Sequence, residues 1–239
     1  MHHDVMIATA TRYETLNDPR LLLAYHTIEE AKKNNIPVLL VDDSPGEVKK
    51  FLSDNDAILI PQKEKGLGNA IRQALVVAES MLDAQGCIAW QEPEKVGLVR
   101  WYKEIIVPLI NGSADIVVPA RSEASWQTYP KEQRYSEQLG NRYSWILSEK
   151  KYFFDLFFGP KIMKKEFVPF FITQHNSWGA LAAPVIRAIK NGVRVTSMPI
   201  DYEHTLFQRS VEEGELFWCE KRIAQFIHMI AVLKKEWAK

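Results

Sequence analysis

Cys87-Ile-Ala-Trp-Gln-Glu-Pro-Glu-Lys95 is the stretch around which the chain is read. The apolar run Cys87 to Trp90 reads as a buried strand, cut off by Gln91, Glu92, Pro93 and Glu94. Pro93 has no N–H for a sheet ladder and disfavours helix before it, so the strand ends here. Two carboxylates then stand two residues apart on a turn read as extended, where side chains i and i+2 share a face. Glu92 and Glu94 are therefore expected to converge on one cation or one substrate. A solvated acidic turn has the same spacing, so the neighbouring elements must decide.

Working outward, the apolar runs Val5–Ala10, Ile36–Val41, Ala57–Ile60, Gly86–Trp90 and Asp115–Pro119 read as strands. Helical patterns lie between them: Pro19 to Asn34, Glu47 to Ser53, a helix opened by Lys63-Glu-Lys-Gly-Leu-Gly-Asn-Ala70 that runs to about Leu82, and Val96 to Leu109. This alternation predicts a doubly wound, mostly parallel α/β sheet. Such sheets bind ligands beyond the carboxyl ends of their strands. The polar clusters fall there: Thr11 to Glu14, Asp42 and Asp43, Lys65 to Asn69, and Gln91 to Glu94. Loops are polar in any case, but acidic pairs at two strand ends together with a Gly-rich turn point to a nucleotide site.

From Arg121 the texture changes. Ser122 to Lys151 is polar and aromatic, and reads as a loop-and-helix excursion broken at Pro130 and Gly140. Tyr152 to Phe158 is apolar around Asp155 and ends at Gly159-Pro160. Trp178 to Lys190 reads as a helix stopped by Asn191-Gly192, and Val193 to Pro199 as a strand. Ile223, Phe226, Ile227, Ile230 and Trp237 make a helical stripe, expected to pack on the domain; contact with a membrane surface is the rival reading.

Composition narrows the function classes. The chain has 239 residues, 46% hydrophobic and 25% charged, with 30 Lys plus Arg against 30 Asp plus Glu. That balance argues against wholesale nucleic-acid binding, which draws on a basic surplus. Cys87 and Cys219 make no disulfide framework, so a reducing, cytoplasmic setting is expected. Met1-His2-His3-Asp4 lacks the basic-then-apolar pattern of a signal peptide. No run of about 18 apolar residues predicts a transmembrane helix.

The order of these features resembles the GT-A glycosyltransferases, in particular family-2-like enzymes and polyprenol-phosphate sugar transferases, over roughly residues 4–205. Val5 to Glu14 is similar to their first strand and nucleotide-contacting loop, and Leu39-Leu-Val-Asp-Asp-Ser44 to their strand ending in an aspartate pair. Lys65-Gly-Leu-Gly-Asn-Ala70 resembles their Gly-rich helix start, Ala114-Asp-Ile-Val-Val-Pro-Ala-Arg121 the strand after the metal motif, and Phe154-Asp155 to Gly159-Pro160 the segment near the acceptor. Glu92-Pro93-Glu94 stands where such enzymes carry Asp-X-Asp, which keeps hard oxygen donors for a cation but moves them by a methylene. Asn176-Ser177-Trp178-Gly179 stands where inverting members present an acidic pair, so the usual general base is missing or comes from elsewhere.

The resemblance implies a single domain over residues 1–239, with a nucleotide-sugar half (1–120) and an acceptor half with a C-terminal helix (121–239). It implies transfer from a UDP- or GDP-linked sugar to an unknown acceptor hydroxyl, with Mn2+ or Mg2+ as cofactor. Thr9, Thr11, Glu14, Asp42, Asp43, Lys65, Gly66, Asn69, Gln91 and Glu92 are the expected nucleotide contacts, and Glu92, Glu94 and His204 the metal ligands. Asp42-Asp43-Ser-Pro is also turn chemistry, and a lone histidine is often structural. Asp155, flanked by Phe153, Phe154, Leu156 and Phe157, is the expected base, since burial without a partner raises a carboxyl; a structural aspartate capping a turn is the rival reading. The rivals are a nucleotide-sugar-binding pseudoenzyme, favoured by the altered motif, and a sugar-phosphate nucleotidyltransferase, disfavoured because Ala8 to Glu14 has no glycine.

Overall fold

The computed structural model describes residues 5–238; Met1 to Asp4, where the absence of a signal pattern was read, lie outside it. The nucleotide half runs β1 (Val5–Thr11), α1 (Pro19–Lys33), β2 (Val38–Asp42), α2 (Gly46–Asp54), β3 (Ile58–Pro61), α3 (Leu67–Met81) and β4 (Cys87–Trp90). The α1 start is built as such starts are: Asp18 accepts from the Arg20 N–H and Pro19 opens the first turn. A 3₁₀ segment Val96–Trp101 follows, then α4 (Tyr102–Ile105), α5 (Val107–Ile110) and β5 (Ile116–Arg121). The helix read over Val96 to Leu109 is thus three short pieces, with Pro108 in the first turn of the last. A proline inside one continuous helix would cost a hydrogen bond and clash with the preceding turn.

The remainder is α6 (Glu123–Thr128), α7 (Lys131–Leu147), β6 (Lys161–Lys164), α8 (Val168–Phe171), α9 (Gly179–Lys190), β7 (Val195–Ile200), α10 (Leu206–Glu212) and α11 (Leu216–Ala238). Gly140 does not break α7; it leaves room for the Phe157 ring, which a Cβ there would strike.

The described residues form one seven-stranded sheet in the order β3-β2-β1-β4-β6-β5-β7. Every pairing is parallel except those of β6, which runs antiparallel between β4 and β5. Sequence reading missed β6. Its residues Lys-Ile-Met-Lys look like a polar link, yet Lys161 is fully buried, its ammonium donating to the carbonyls of Phe158, Gly159 and Pro160. Burial pushes the Lys161 ammonium down to about 8.

Both faces of the sheet are covered, which is why its parallel strands read as continuous apolar runs. Alternate residues feed opposite layers. Val5, Ile7, Val38, Leu40, Cys87 and Ala89 pack with α1, α2, α4 and α5. Met6, Ala8, Leu39, Val41, Ile88 and Trp90 pack with α3, α9 and α11. The C-terminal helix packs on the domain, with Phe226, Ile230 and Trp237 of the expected stripe against the core, but it is rotated so that Met229, Val232 and Leu233 are buried and Ile223 and Ile227 are exposed.

Candidate functional site

Strand order reverses direction at β1 and β4, and the crevice of a doubly wound sheet opens beyond their carboxyl ends. A cleft of about 310 Å³ lies there, with Thr11, Arg12, Arg20, Asp43, Lys65, Gly66 and Glu94 among its lining residues. Adjacent residues at the end of β2 divide the work. Asp42 is buried and accepts from the Thr11 hydroxyl (2.6 Å), the Ser44 N–H (3.0 Å) and the Ser44 hydroxyl (2.7 Å). Asp42 therefore closes the turn, and is not the nucleotide contact expected of it. The Ser44 Oγ also accepts from the Tyr13 N–H at 2.9 Å, which ties the loop after β1 to the end of β2. Asp43 points the other way and faces the cleft.

The opposite wall is the start of α3. Gly66 holds φ +107° immediately before the helix, a backbone state that side chains resist. In the first turn of α3 the Gly68 N–H is taken by the Asn176 carbonyl at 3.3 Å, and the rest of the turn presents the positive end of the helix dipole, which suits an anion. The second glycine serves a different purpose. A Cβ on Gly68 would strike the backbone of His175 and Asn176, and Arg72 donates to the carbonyls of Thr173 (2.5 Å) and His175 (2.9 Å). Gly68 and Arg72 thus dock the 173–176 loop onto α3. Asn69 belongs to this network: it donates to the Lys65 carbonyl at 2.8 Å and accepts from Arg72, away from the cleft.

The turn after β4 departs from the extended geometry expected of it. The Lys95 N–H donates to the Glu92 carbonyl at 3.0 Å, and the Thr27 hydroxyl pins the Pro93 carbonyl at 2.6 Å. In a closed turn, residues i and i+2 no longer share a face, and the two carboxylates diverge. Glu94 lines the cleft and accepts from the Tyr13 hydroxyl at 3.4 Å. Burial raises its carboxyl, against the pull of Arg20. Glu92 packs on Gly159, where any Cβ would meet its carboxylate, and lies 3.9 Å from the Lys95 ammonium. Its Oε2 is buried without a hydrogen-bond partner.

His204 does not join Glu94. It is 6% exposed, its ring stacks on Tyr129 at 4.5 Å, and its backbone N–H donates to the Thr128 hydroxyl at 2.9 Å. Burial, then Lys95, Arg222, Arg121 and Arg209, hold it down to about 3. Among the described residues no three His, Cys, Asp or Glu side chains gather as a metal-binding group, so the Glu92–Glu94–His204 set is not assembled. His204 is expected to stay neutral down to about pH 4, well below the ordinary imidazole range. Its ring resonances in an NMR titration should therefore stay flat through neutrality; a midpoint near the ordinary value would show that the ring is solvated.

Asp155 also differs from expectation. It is buried, but not alone: Arg121 donates to it through Nε and Nη2, both at 2.8 Å, and Asn141 donates at 2.8 Å. The N–H groups of Arg121 and Phe158 add bonds of 3.2 Å. Burial pushes the carboxyl up, but Arg121 and these bonds outweigh it and leave it lowered, the opposite of what a base near neutrality needs. Arg121 is held in turn by Glu137 at 2.6 Å and lies over the Trp126 ring at 3.6 Å. Asp155 is thus a positioning residue for Arg121 and the 155–160 segment.

Of the expected nucleotide contacts, Thr11, Asp43, Lys65 and Gly66 line the cleft. Thr9 is fully buried within β1, and Gln91 is buried with its carbonyl accepting from the Tyr102 hydroxyl. Glu14 is exposed and paired with Arg12 at 3.3 Å. Sequence reading missed Arg12 and Arg20 as cleft groups. Arg20 follows the Asp18-Pro19 helix start, and that start is the signal that brings its guanidinium to the crevice.

No known family profile matches this chain, and no curated protein does. Solved structures do. The glucosyl-3-phosphoglycerate synthase of Mycobacterium tuberculosis, solved with Mn2+, UDP and phosphoglyceric acid, superposes with a TM-score of 0.61 over 95% of this chain and 78% of its own, at 10% identity. The chain has the GT-A fold. Staphylococcus aureus TarS (residues 1–349) shares the GT-A sheet at TM-score 0.52, 14% identity, 97% of this chain and 65% of that one. The CMP:2-keto-3-deoxy-manno-octonic acid synthetase with CTP matches at TM-score 0.55, 11% identity, 95% and 99%. At such identities the likeness concerns the GT-A fold alone. Among the described residues no helix is long and apolar enough to cross a membrane.

Proposed function

We propose that the chain is a glycosyltransferase that takes a sugar from a UDP- or GDP-linked donor to an acceptor hydroxyl. The observation that carries this reading is the composition of the cleft: a free carboxylate, Asp43, at one end, and Arg12, Arg20, Lys65 and the start of α3 around the rest. Asp43 accepts from ribose hydroxyls or a base N–H. The cations and the helix N-terminus take the diphosphate, whose charge grows as the sugar leaves. Glu94 is a desolvated carboxylate facing the same space and fits a divalent cation, Mn2+ or Mg2+, shared with the donor phosphates. When bound, such an ion supplies Lewis-acid stabilisation of the leaving diphosphate.

Asp43→Ala is expected to weaken nucleoside-diphosphate binding by roughly 1.5–3 kcal/mol, the usual loss for a hydrogen bond to a charged group. Calorimetric titration of UDP and GDP, with and without Mn2+, measures it. Unchanged affinity in the folded variant takes Asp43 out of the site. The binding-protein reading is favoured by one specific observation, the engagement of Asp155 by Arg121 and Asn141, which leaves no free aspartate on that segment. Release of nucleoside diphosphate from a nucleotide-sugar excludes it, and release of pyrophosphate would point to nucleotidyl transfer instead.

A further inference from the structure

Helix α7 packs Tyr143 and Leu147 against the core but otherwise turns polar residues inward. Its buried face carries Gln133, Glu137, Asn141 and Ser144, while Tyr135 (61% exposed), Leu139 (57%) and Ile146 (53%) face outward. Positions 135, 139, 142 and 146 follow helical spacing and share one face. The polar inward face is accounted for by the Arg121 network: Glu137 and Asn141 hold Arg121 and Asp155. Nothing inside the fold accounts for the apolar outward face. Beside it an open groove of about 630 Å³ is lined by Gln138, Arg142, Trp145 and Phe153, the last 62% exposed. An exposed face of this kind, with Tyr135, Leu139 and Ile146 set around Arg142, marks a surface that something covers.

The charges around it favour one occupant. Along residues 131–153, Lys131, Arg134, Arg142, Lys150 and Lys151 are exposed or half-exposed, against only Glu132 and Glu149 among the acids. The turn that presents Lys150 and Lys151 is rigidly built: Glu149 and Lys150 both hold positive φ, the Lys150 N–H donates to the Trp145 carbonyl at 2.8 Å, and the Trp145 indole donates back to the Lys150 carbonyl at 2.9 Å. Aromatic rings set among cations on an amphipathic helix match the headgroup layer of an anionic bilayer. A two-fold contact between copies would bring the same cations face to face. We propose that the outer face of α7, with the 145–153 turn, docks the protein on an anionic lipid surface.

The full chain would be sedimented with vesicles of phosphatidylcholine alone and of phosphatidylcholine with phosphatidylserine. It is expected to pellet with the phosphatidylserine vesicles only, and less so as salt rises. Lys150→Glu with Lys151→Glu is expected to weaken that partition by at least about tenfold. Leu139→Ser with Ile146→Ser should weaken it as well; both sites are exposed, and circular dichroism confirms that each variant is folded. Three results would each overturn the proposal: wild-type protein left in the supernatant with both vesicles, a partition indifferent to these substitutions, or a dimer in equilibrium sedimentation that Leu139→Ser dissolves.

Discussion

Asp155→Ala is expected to lower the free energy of unfolding by about 3–5 kcal/mol, the cost of leaving a buried charge without its partner. The charge is Arg121, fully desolvated between β5 and α7, with Glu137 then its one remaining anion among the described residues. The loss extends beyond the pair. Asp155 also receives the N–H groups of Arg121 and Phe158 and the amide of Asn141, so its removal frees the segment that carries Gly159 against Glu92. Urea unfolding with an unchanged slope measures the loss. Asp155→Asn keeps the shape and part of the bonding and should cost less.

The pH dependence of this contribution follows from the lowered carboxyl. A group whose folded pKa lies below its unfolded value stabilises the fold above the ordinary aspartate range, and loses that stabilisation as pH falls toward the depressed value. The wild type should therefore lose stability on acidification below about pH 4, the ordinary aspartate value. The gap between wild type and Asp155→Asn should narrow over the same range. A gap that stays constant into acid would mean that Asp155 is not ionised in the folded protein.

Glu94→Gln is expected to reduce sugar transfer by about 10²–10³-fold, the scale of losing one preorganised electrostatic group at a reacting centre. The same change should raise the stability of the ligand-free protein at neutral pH. Burial raises the Glu94 carboxyl, so ionisation is disfavoured in the fold. Below the ordinary glutamate range the group is protonated in both states and costs nothing. As pH climbs through the raised value, the folded protein holds an anion it solvates poorly, and stability is lost. Glutamine removes that loss. Scanning calorimetry at several pH values, run beside initial rates, tests both halves: a variant that is less active and no more stable at neutral pH would show that Glu94 is held by partners in the resting protein, not poised for a cation.

Local chemistry was enough to make the sheet and half of the cleft readable. Strands covered on both faces must be continuously apolar, so β1 to β5 stand out between turn residues, and the alternation with helices leads to a parallel sheet and its crevice. Asp43 and Gly66 could be read for the same reason: one directly follows a strand, the other sets a backbone state that glycine adopts at no cost. What stayed hidden depends on partners distant in the chain. Lysines at both ends of Lys-Ile-Met-Lys look solvated until β4 and β5 close over them. Glu92 and Glu94 look equivalent until a hydrogen bond to Lys95 closes their turn and sends one to Gly159 and the other to the cleft. Asp155 looks like a stranded carboxylate until Arg121, 34 residues earlier, reaches it. A carboxylate's role is set by the charges and dipoles within a few ångströms, and packing, not adjacency along the chain, brings those together.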